Sequence, residues 1–294
     1  MTLKDVFLLG RASNLPTVWT NALTGLTLAG LAIPGDDGSA ITLAFVILAM
    51  SLFYTGGMYL NDAFDAQYDA DNRPERPIPA GRVNRRTVYS AGYTMLGMGL
   101  FAVLLAASRN PASGLIWAGA ACLLLTATII FYDWHHKENP LSPLVMGLCR
   151  GLVYVTAGLC VTDQIHTDVL LAGLVVLSYL IGLTYLAKQE DLGQVTALWP
   201  LVLLAAPVAF GIARTHSEPL VLFLLIALAA WVAFCVVLVT RGGACVALAV
   251  ANLIAGIALC DAIFLALAGA EMLSLLAAAC FLLTLALQRI LPAT

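Results

Sequence analysis

The stretch "ITLAFVILAMSLFYTGGMYL" at residues 41–60 is followed without a break by "NDAFDAQYDADNRPERPIPAGR" at residues 61–82. The first part is apolar over about 20 residues, which is long enough for a helix to cross roughly 30 Å of hydrocarbon. The second part holds four aspartates, three arginines and three prolines, in a chain of which only 11% of the residues are charged. Because charges at a membrane boundary are costly and usually functional, this junction predicts a spanning helix that ends in a charged site.

The composition extends the prediction to the whole chain. Of its 294 residues, 61% are hydrophobic, and the mean hydropathy is +0.94. A soluble fold cannot hide so much apolar surface. We therefore predict an all-α, polytopic transmembrane helix bundle of nine or ten spans with a lipid-facing central cavity, formed by a single domain over residues 1–294. The predicted spans lie near residues 16–33, 40–60, 87–107, 113–132, 142–160, 167–187, 196–214, 219–240, 245–268 and 271–291.

The basic residues predict the orientation of the bundle. Of the 14 lysines and arginines, the outer loops hold only Arg109 and Arg214, Arg150 lies within a span, and all others fall in inner segments. This bias predicts a plasma (inner) membrane protein whose N-terminus and acidic stretch face the cytoplasm. The N-terminus lacks the apolar core of a cleaved signal. The seven cysteines are scattered and predict packing rather than disulfides or zinc, and no basic tail suggests nucleic acid.

The acidic stretch has the pattern of a metal site. In a helix, Asp62, Asp65 and Asp69 stand at i, i+3 and i+7 on one face, whereas Asp71 points away. Carboxylates at this spacing repel one another unless a cation lies among them, and Mg²⁺ combines such oxygens with substrate phosphates. The prolines then stop the helix, and the arginines that follow can clamp phosphate oxygens. The alternative is a solvated loop in which acids and bases pair with one another.

The stretch "NDAFDAQYD" resembles the NDxxDxxxD pattern of the UbiA superfamily of intramembrane prenyltransferases, and "DNRPERPIPAGRV" resembles the segment that follows it. The resemblance implies a helical bundle, commonly of nine spans, that binds Mg²⁺ and an isoprenoid diphosphate through two acidic motifs. It also implies that Asp62, Asp65 and Asp69 are metal ligands, and that Asn61 and Arg73 bind the diphosphate.

The second acidic motif of that family should lie in the inner loop after the sixth span, where this chain has "YLAKQEDLGQ" at 185–194. The resemblance implies that Asp191 is a further metal ligand, that Asp191 or Glu190 removes the acceptor proton, and that Lys188 neutralises the leaving group. The family usually has another aspartate four residues after the first. This chain has Val195 there, and Gln194 is a weak oxygen donor. The second metal site therefore has fewer strong oxygen ligands than is usual in the family.

A third segment, "FYDWHHKENPLSP" at 131–143, resembles the family's loop between spans four and five. Lys137 would contact the diphosphate as a point charge, and Glu138 replaces an arginine that often follows that lysine. Asp133, His135 and His136 are unusual at these positions, and the segment looks more like the EboC-type branch than the quinone or haem branches. The histidines are either interfacial loop residues or substrate contacts, and His135 is the second candidate for the base.

Three polar side chains within the apolar spans have two possible roles each. Arg150 forms a structural ion pair or contacts the diphosphate, because a charge in a span needs an anionic partner. Asn21 bonds between helices or contacts substrate. Tyr132, like other aromatic residues near the acidic motifs, packs at the interface or stabilises a carbocation, which is worth roughly 0.5–2 kcal/mol per ring.

The predicted function is the Mg²⁺-dependent transfer of an isoprenoid chain from a prenyl diphosphate to an unidentified small-molecule acceptor within the bilayer. The alternative is a non-catalytic isoprenoid-lipid binder or transporter. A transporter usually has broken or charged helices near the midplane and two repeated halves. Here the acids stand at one edge of the bilayer, and no second copy of the first motif is present in the sequence.

Overall fold

The computed structural model describes residues 2–32, 37–110, 113–137, 139–189 and 199–291. These residues form twelve α-helices and two short 3₁₀ helices, Ala12–Asn14 and Trp199–Ala205, without a strand. The all-α prediction is therefore confirmed. The α-helices are α1 Leu3–Leu9, α2 Leu15–Leu28, α3 Asp37–Phe64, α4 Ala66–Asn72, α5 Arg85–Ser108, α6 Leu115–His135, α7 Ser142–Leu159, α8 Thr167–Lys188, α9 Ala206–Arg214, α10 Pro219–Arg241, α11 Ala244–Leu267 and α12 Glu271–Gln288.

Eight helices within the described ranges are long and apolar enough to cross a membrane. They are α3, α5, α6, α7, α8, α10, α11 and α12. The other two predicted spans are shorter helices. The region near 16–33 contains α2, whose 14 residues extend only about 21 Å. The region near 196–214 contains a 3₁₀ helix followed by α9. Ten apolar segments are thus helical, and eight of them have the full length of a span.

Helix α11 forms the centre of the bundle, because 83% of its most apolar stretch of 18 residues is buried inside the structure. Helix α2 is also almost fully buried and packs against α7, α11, α3 and α12. Its Gly25 lies so close to α7 that a Cβ there would stand 2.6 Å from the carbonyl oxygen of Tyr154. Large apolar side chains such as Ile116, Phe223 and Ile226 instead point outward, more than 60% exposed. Such an apolar exterior is the surface that a lipid environment covers.

The junction between α3 and α4 keeps the helical register of the acidic stretch. Helix α3 ends at Phe64 and α4 begins at Ala66, but the intervening Asp65 has αR dihedral angles. The amide of Asp65 donates to the carbonyl of Asn61 at 2.9 Å, and the amide of Asp69 donates to that of Asp65 at 2.8 Å. These i to i−4 bonds carry the turn across the junction, so the predicted face of aspartates is formed.

A cavity of about 200 Å³ opens among α2, α3, α6, α7, α8 and α11, as the central-cavity prediction requires. Most of its wall is apolar and includes Phe53, Leu125 and Leu183. The polar and charged members of the wall are Arg11, Asn14, Tyr54, Tyr132, Asp133, Arg150 and Thr184.

Both ends of the described chain lie at the end of the bundle that carries the acidic stretch. Helix α1 is tied to the loop after α4 because Arg82 Nε donates to Asp5 Oδ1 at 2.9 Å. At the other end, Gln288 Nε2 donates to Asn14 Oδ1 at 3.1 Å. The amide and hydroxyl of Thr2, together with Arg82, hold the pKa of Asp5 at about 2. The Asp5–Arg82 pair, which we call the clasp, thus holds the N-terminal helix α1 beside the acidic stretch.

Candidate active site

The aspartates of the first motif divide by exposure as the helical register predicts. Asp62, Asp65 and Asp69 are 6%, 7% and 1% exposed, whereas Asp71 is exposed to solvent. A solvated loop would leave all four exposed. The burial of three carboxylates requires compensation, since an isolated charge of this kind is very costly away from water.

Two arginines compensate Asp62 and Asp69. Arg76 Nη1 lies 2.9 Å from Asp69 Oδ2 and 3.4 Å from Asp62 Oδ1. Arg11 Nη2 lies 3.4 Å from both Asp62 Oδ1 and Asn61 Oδ1. Arg11 comes from the segment before α2, so its approach to the first motif depends on tertiary packing. Guanidinium groups at this place are suited to phosphate oxygens as well as to carboxylates.

Asp65 is compensated from the loop after α6. Lys137 Nζ lies 3.0 Å from Asp65 Oδ2, and His136 Nε2 lies 3.4 Å from the same oxygen. Burial raises the pKa of Asp65, but the bonds and charges of His136 and Lys137 outweigh burial and lower the pKa below its ordinary value. Lys137 also lies over the ring of Tyr68, 3.8 Å from the ring centroid. The contact of Lys137 with a diphosphate stays a prediction, and the structure shows its contact with Asp65.

Asp133 joins this region from α6. It is 3% exposed, and its Oδ1 accepts a bond of 3.2 Å from Asn61 Nδ2. Among the described residues, three buried polar atoms here have no hydrogen-bond partner: Asp69 Oδ1, Asp133 Oδ2 and His136 Nδ1. An unpaired buried polar atom costs about 1–3 kcal/mol, so these atoms indicate places where a ligand completes the site.

The remaining predicted residues of this region lie around the cluster. Lys188 donates to the carbonyl of Asn139 at 2.9 Å and to Ser142 Oγ at 3.0 Å, which brings the end of α8 against the start of α7. Tyr132 lines the cavity and stacks on His136 with ring centroids 4.9 Å apart. Arg73 follows α4, and its amide donates to the carbonyl of Asp69. His135 and Lys188 are exposed to solvent. Glu190, Asp191, Gln194 and Val195 lie outside the described residues.

A second polar group stands deeper, between α2, α7 and α11. Arg150 Nη1 donates to Asn21 Oδ1 at 2.8 Å, and Asn21 Nδ2 donates to Tyr154 Oη at 2.9 Å and Asp261 Oδ2 at 2.7 Å. The hydroxyls of Thr20 and Tyr154 also donate to Asp261. Arg150 has no carboxylate within salt-bridge distance in the described part of the chain. The amide of Asn21 therefore links the guanidinium to the carboxylate without a direct ion pair.

The donor chemistry of the first motif fits Mg²⁺. Its carboxylate oxygens are the hard donors that this ion takes, and the free Oδ1 of Asp69 provides an open ligand position. Within the described ranges, no three His, Cys, Asp or Glu side chains converge as they would around a bound ion. Instead, the carboxylates of the first motif are paired with the side chains of Arg76, Arg11, Lys137 and His136.

Three groups at the site were underweighted by sequence reasoning. Arg11 counted only as an inner basic residue, and Asp133 only as an unusual neighbour of Tyr132. Asp261 was one of the few polar residues late in the chain. The single signal available for the last two was a carboxylate within an apolar run, which usually marks a functional or paired group. Nothing in the order of residues identified their partners.

Several known proteins are similar to parts of this chain. The digeranylgeranylglyceryl phosphate synthase of Metallosphaera sedula is 36% identical over 115 residues, which cover 39% of this chain and 35% of that protein. The synthase of the same name from Methanopyrus kandleri is 31% identical over 144 residues, 47% of this chain and 46% of that protein. The matches thus span less than half of these relatives' lengths.

A solved structure described as "Structural and mechanistic insights into the biosynthesis of Digeranylgeranylglyceryl phosphate synthase in membranes" has the same fold. It superposes with a TM-score of 0.61 at 18% identity and covers 92% of this chain and 98% of that one. A sequence model of the UbiA prenyltransferase family matches residues 22–261, which include the first acidic motif and the loop after α6 and end at Asp261. This integral membrane protein therefore belongs to the UbiA prenyltransferase family.

Proposed function

We propose that the protein transfers a prenyl group from a prenyl diphosphate to a small-molecule acceptor within the bilayer, and that the transfer requires Mg²⁺. One observation carries the proposal: three buried aspartates, matched by arginine and lysine side chains, stand beside an apolar cavity at one end of a helical bundle. Family membership supports the same reaction. A charged head group followed by a long hydrocarbon tail is the ligand that this arrangement suits.

The diphosphate would bind at the cation-rich cluster. Arg76, Lys137 and Arg11 now contact carboxylates, and the same donors can bond to phosphate oxygens. Asn61 and Arg73 are assigned to the same head group, and Lys188 lies close to the Lys137 loop. Asp62, Asp65 and Asp69 would hold Mg²⁺, with Asp191 as a further ligand. When bound, the ion would neutralise the charge of the leaving diphosphate.

The cavity would receive the isoprenoid chain and the acceptor. Its apolar wall excludes water, which limits loss of a reactive allyl cation to hydrolysis. Tyr54 and Tyr132 line it, and their rings can stabilise positive charge. Arg150 lies over the Tyr54 ring at 5.5 Å and has donors left for a negative group of a substrate. Asn21 orients Arg150 rather than lining the cavity, so its role in substrate binding is through that arginine.

The relatives' name favours a class of acceptor for a first trial. That name describes a glyceryl phosphate that carries two geranylgeranyl groups. We propose an alcohol that carries an anionic group as the first acceptor to test. The two arginines in the cavity wall, Arg11 and Arg150, are consistent with a negative group there.

We further propose that residues 1–294 act as one unit in the plasma membrane with the N-terminus inside, because the basic residues concentrate at the end that carries the cluster. In a cysteine-free background, Asp71→Cys should resist an impermeant reagent added from outside, whereas Asp163→Cys should react with it. Both positions are exposed. Labelling of the first and protection of the second would reverse the orientation.

Transfer is tested with the purified chain in phospholipid nanodiscs, radiolabelled geranylgeranyl diphosphate and a lipid extract of the source membranes. Label should move into a new lipid in Mg²⁺ and remain in the diphosphate in excess chelator. The alternative, a lipid binder or transporter, predicts bound label and no new lipid. Mass spectrometry of the labelled lipid then identifies the acceptor.

A further inference from the structure

Asp133 is the one carboxylate among the described residues that line the cavity. The three aspartates of the first motif do not line it, although they lie close by on α3 and α4. Asp133 reaches the same region from α6 and is 3% exposed. It is thus placed in the wall of the cavity where an acceptor would meet the prenyl chain.

The surroundings of Asp133 differ from those of its neighbours. Its Oδ1 accepts a single bond from the neutral amide of Asn61, and its Oδ2 has no partner. No lysine, arginine or histidine of the described ranges lies within salt-bridge distance of it. Asp65, in contrast, contacts both Lys137 and His136. Asp133 therefore differs from Asp65 in that no cationic side chain of the described ranges occupies its second oxygen.

Asn61 fixes this arrangement. Its Nδ2 donates to Asp133, while its Oδ1 accepts from Arg11. The amide is therefore oriented from both sides, and Asp133 keeps one oxygen bonded and the other free. A fixed carboxylate oxygen without a partner, on a residue of the cavity wall, suits a general base.

We propose that Asp133 is the catalytic residue that accepts the proton of the acceptor, and that the acceptor presents a hydroxyl group to Asp133 Oδ2; this inference rests on the proposed transferase function. In the step, the bond between C1 of the prenyl chain and the diphosphate oxygen breaks, and its electron pair leaves with the diphosphate. The acceptor oxygen forms a bond to C1. Its O–H bond breaks, and the proton passes to Asp133 Oδ2 and later to water.

The experiment compares Asp133→Asn, Asp133→Glu and the wild type in nanodiscs, with Asp71→Asn as a control that removes the same charge from an exposed position. Two quantities are measured. The first is the Mg²⁺-dependent binding of farnesyl thiodiphosphate, a non-reactive analogue. The second is the distribution of label from geranylgeranyl diphosphate between prenylated lipid and free prenyl alcohol, with a source-membrane lipid extract as the acceptor probe.

Asp133→Asn should lower the transfer rate by about 10²–10³, within the range for loss of a general base, while analogue binding stays unchanged and the label that still reacts goes to prenyl alcohol. Asp133→Glu should recover part of the transfer, and Asp71→Asn should match the wild type. The ratio of the two products does not depend on how much of a variant is folded, so a partly unfolded variant still decides the question.

Four outcomes would overturn the proposal. Normal transfer by Asp133→Asn would remove the base role, and an equal loss of analogue binding would place Asp133 in the diphosphate site instead. A product in which the prenyl group is bonded to carbon would exclude a hydroxyl acceptor. A wild type that binds the analogue but makes no prenylated lipid would defeat the proposed function, and this inference with it.

Discussion

Carboxylates at the edge of the bundle and the carboxylate at its centre are stabilised in opposite ways. At the edge, Asp62, Asp65 and Asp69 each have a cationic side chain within 4 Å. At the centre, Asp261 is fully buried, and within the described residues its oxygens accept bonds from the neutral donors of Thr20, Asn21 and Tyr154. The edge groups are thus paired with charged side chains, whereas both oxygens of the central group accept bonds from neutral donors.

The difference shows why charge alone does not identify a site in a membrane protein. Both groups interrupt apolar helices, and both would be flagged as functional because ionisable groups are rare there. Partner type separates them. Mobile cationic partners at an accessible edge are typical of a binding site, whereas fixed neutral donors between three helices are typical of structural bonds that join helices.

The largest expected effect is the loss of diphosphate binding when Mg²⁺ is removed from the acidic edge. Without Mg²⁺, the three aspartates repel a polyanion. Excess chelator should therefore abolish binding of farnesyl thiodiphosphate, and added Mg²⁺ should restore it, as measured by equilibrium binding in nanodiscs. Thermal unfolding in chelator provides the control, because the central bonds need no metal. Undiminished binding in chelator would mean that the cationic side chains suffice for the diphosphate.

The next effect separates the buried face of the acidic stretch from its exposed face. Asp65→Asn should lower the rate of transfer by about 10²–10³, because loss of one strong transition-state contact costs on the order of 3–4 kcal/mol. Asp71→Asn removes the same charge from an exposed position and should change the rate by much less than tenfold. Steady-state rates of both variants decide the comparison. Similar mild effects would favour a solvated loop, and similar severe effects would contradict the observed register.

Much of this comparison was predictable from sequence. The helical period placed three aspartates on one face and Asp71 on the other, because that relation is local. The exposures confirm it. Two contacts were not predictable from the sequence. Arg11 contacts Asp62, which is 51 residues away in the chain, and Asp133 contacts Asn61, which is 72 residues away. Such pairs depend on how helices pack, and no local pattern records that.

The span count shows the same limit. Apolar length located ten helical segments but could not distinguish a full span from the buried 14-residue α2 or from the 3₁₀ helix that precedes α9. The roles of Glu190 and Asp191 stay predictions because that loop lies outside the described residues. The likeness to the EboC-type branch also stays a prediction.

A moderate effect on stability is expected at the centre. Asp261→Asn replaces an oxygen that accepts bonds with an amide that donates, so one of three neutral donors loses its partner. The cost should be about 1–3 kcal/mol of unfolding free energy, measured by denaturation in mixed micelles, with little change in analogue binding. Asp168→Asn is the matched control, because its exposed pair with Arg214 at 3.5 Å should contribute less than about 1 kcal/mol. Equal costs would erase the distinction between centre and surface.

The smallest effect concerns the clasp of Asp5 at the N-terminal helix. The amide and hydroxyl of Thr2 and then Arg82 lower the pKa of Asp5 to about 2, whereas an unpaired aspartate titrates near 3.9. Because the pKa of Asp5 is lowered in the folded state, the clasp contributes fully to the stability of the folded state above about pH 4, and this contribution is lost as the pH falls through about 2.

Helix α1 should therefore stay protected from hydrogen exchange at pH 5, and its hydrogen exchange, corrected for intrinsic rates, should rise below pH 3. Thr2→Ala removes the hydroxyl bond and should move this transition to higher pH, while Arg82→Gln should move it less because its contribution ranks below those of Thr2. Because Asp5 and Arg82 do not contact Asp62, Asp65 or Asp69 in the described structure, neither variant should alter analogue binding; a loss of binding in Arg82→Gln would extend the edge cluster to this pair.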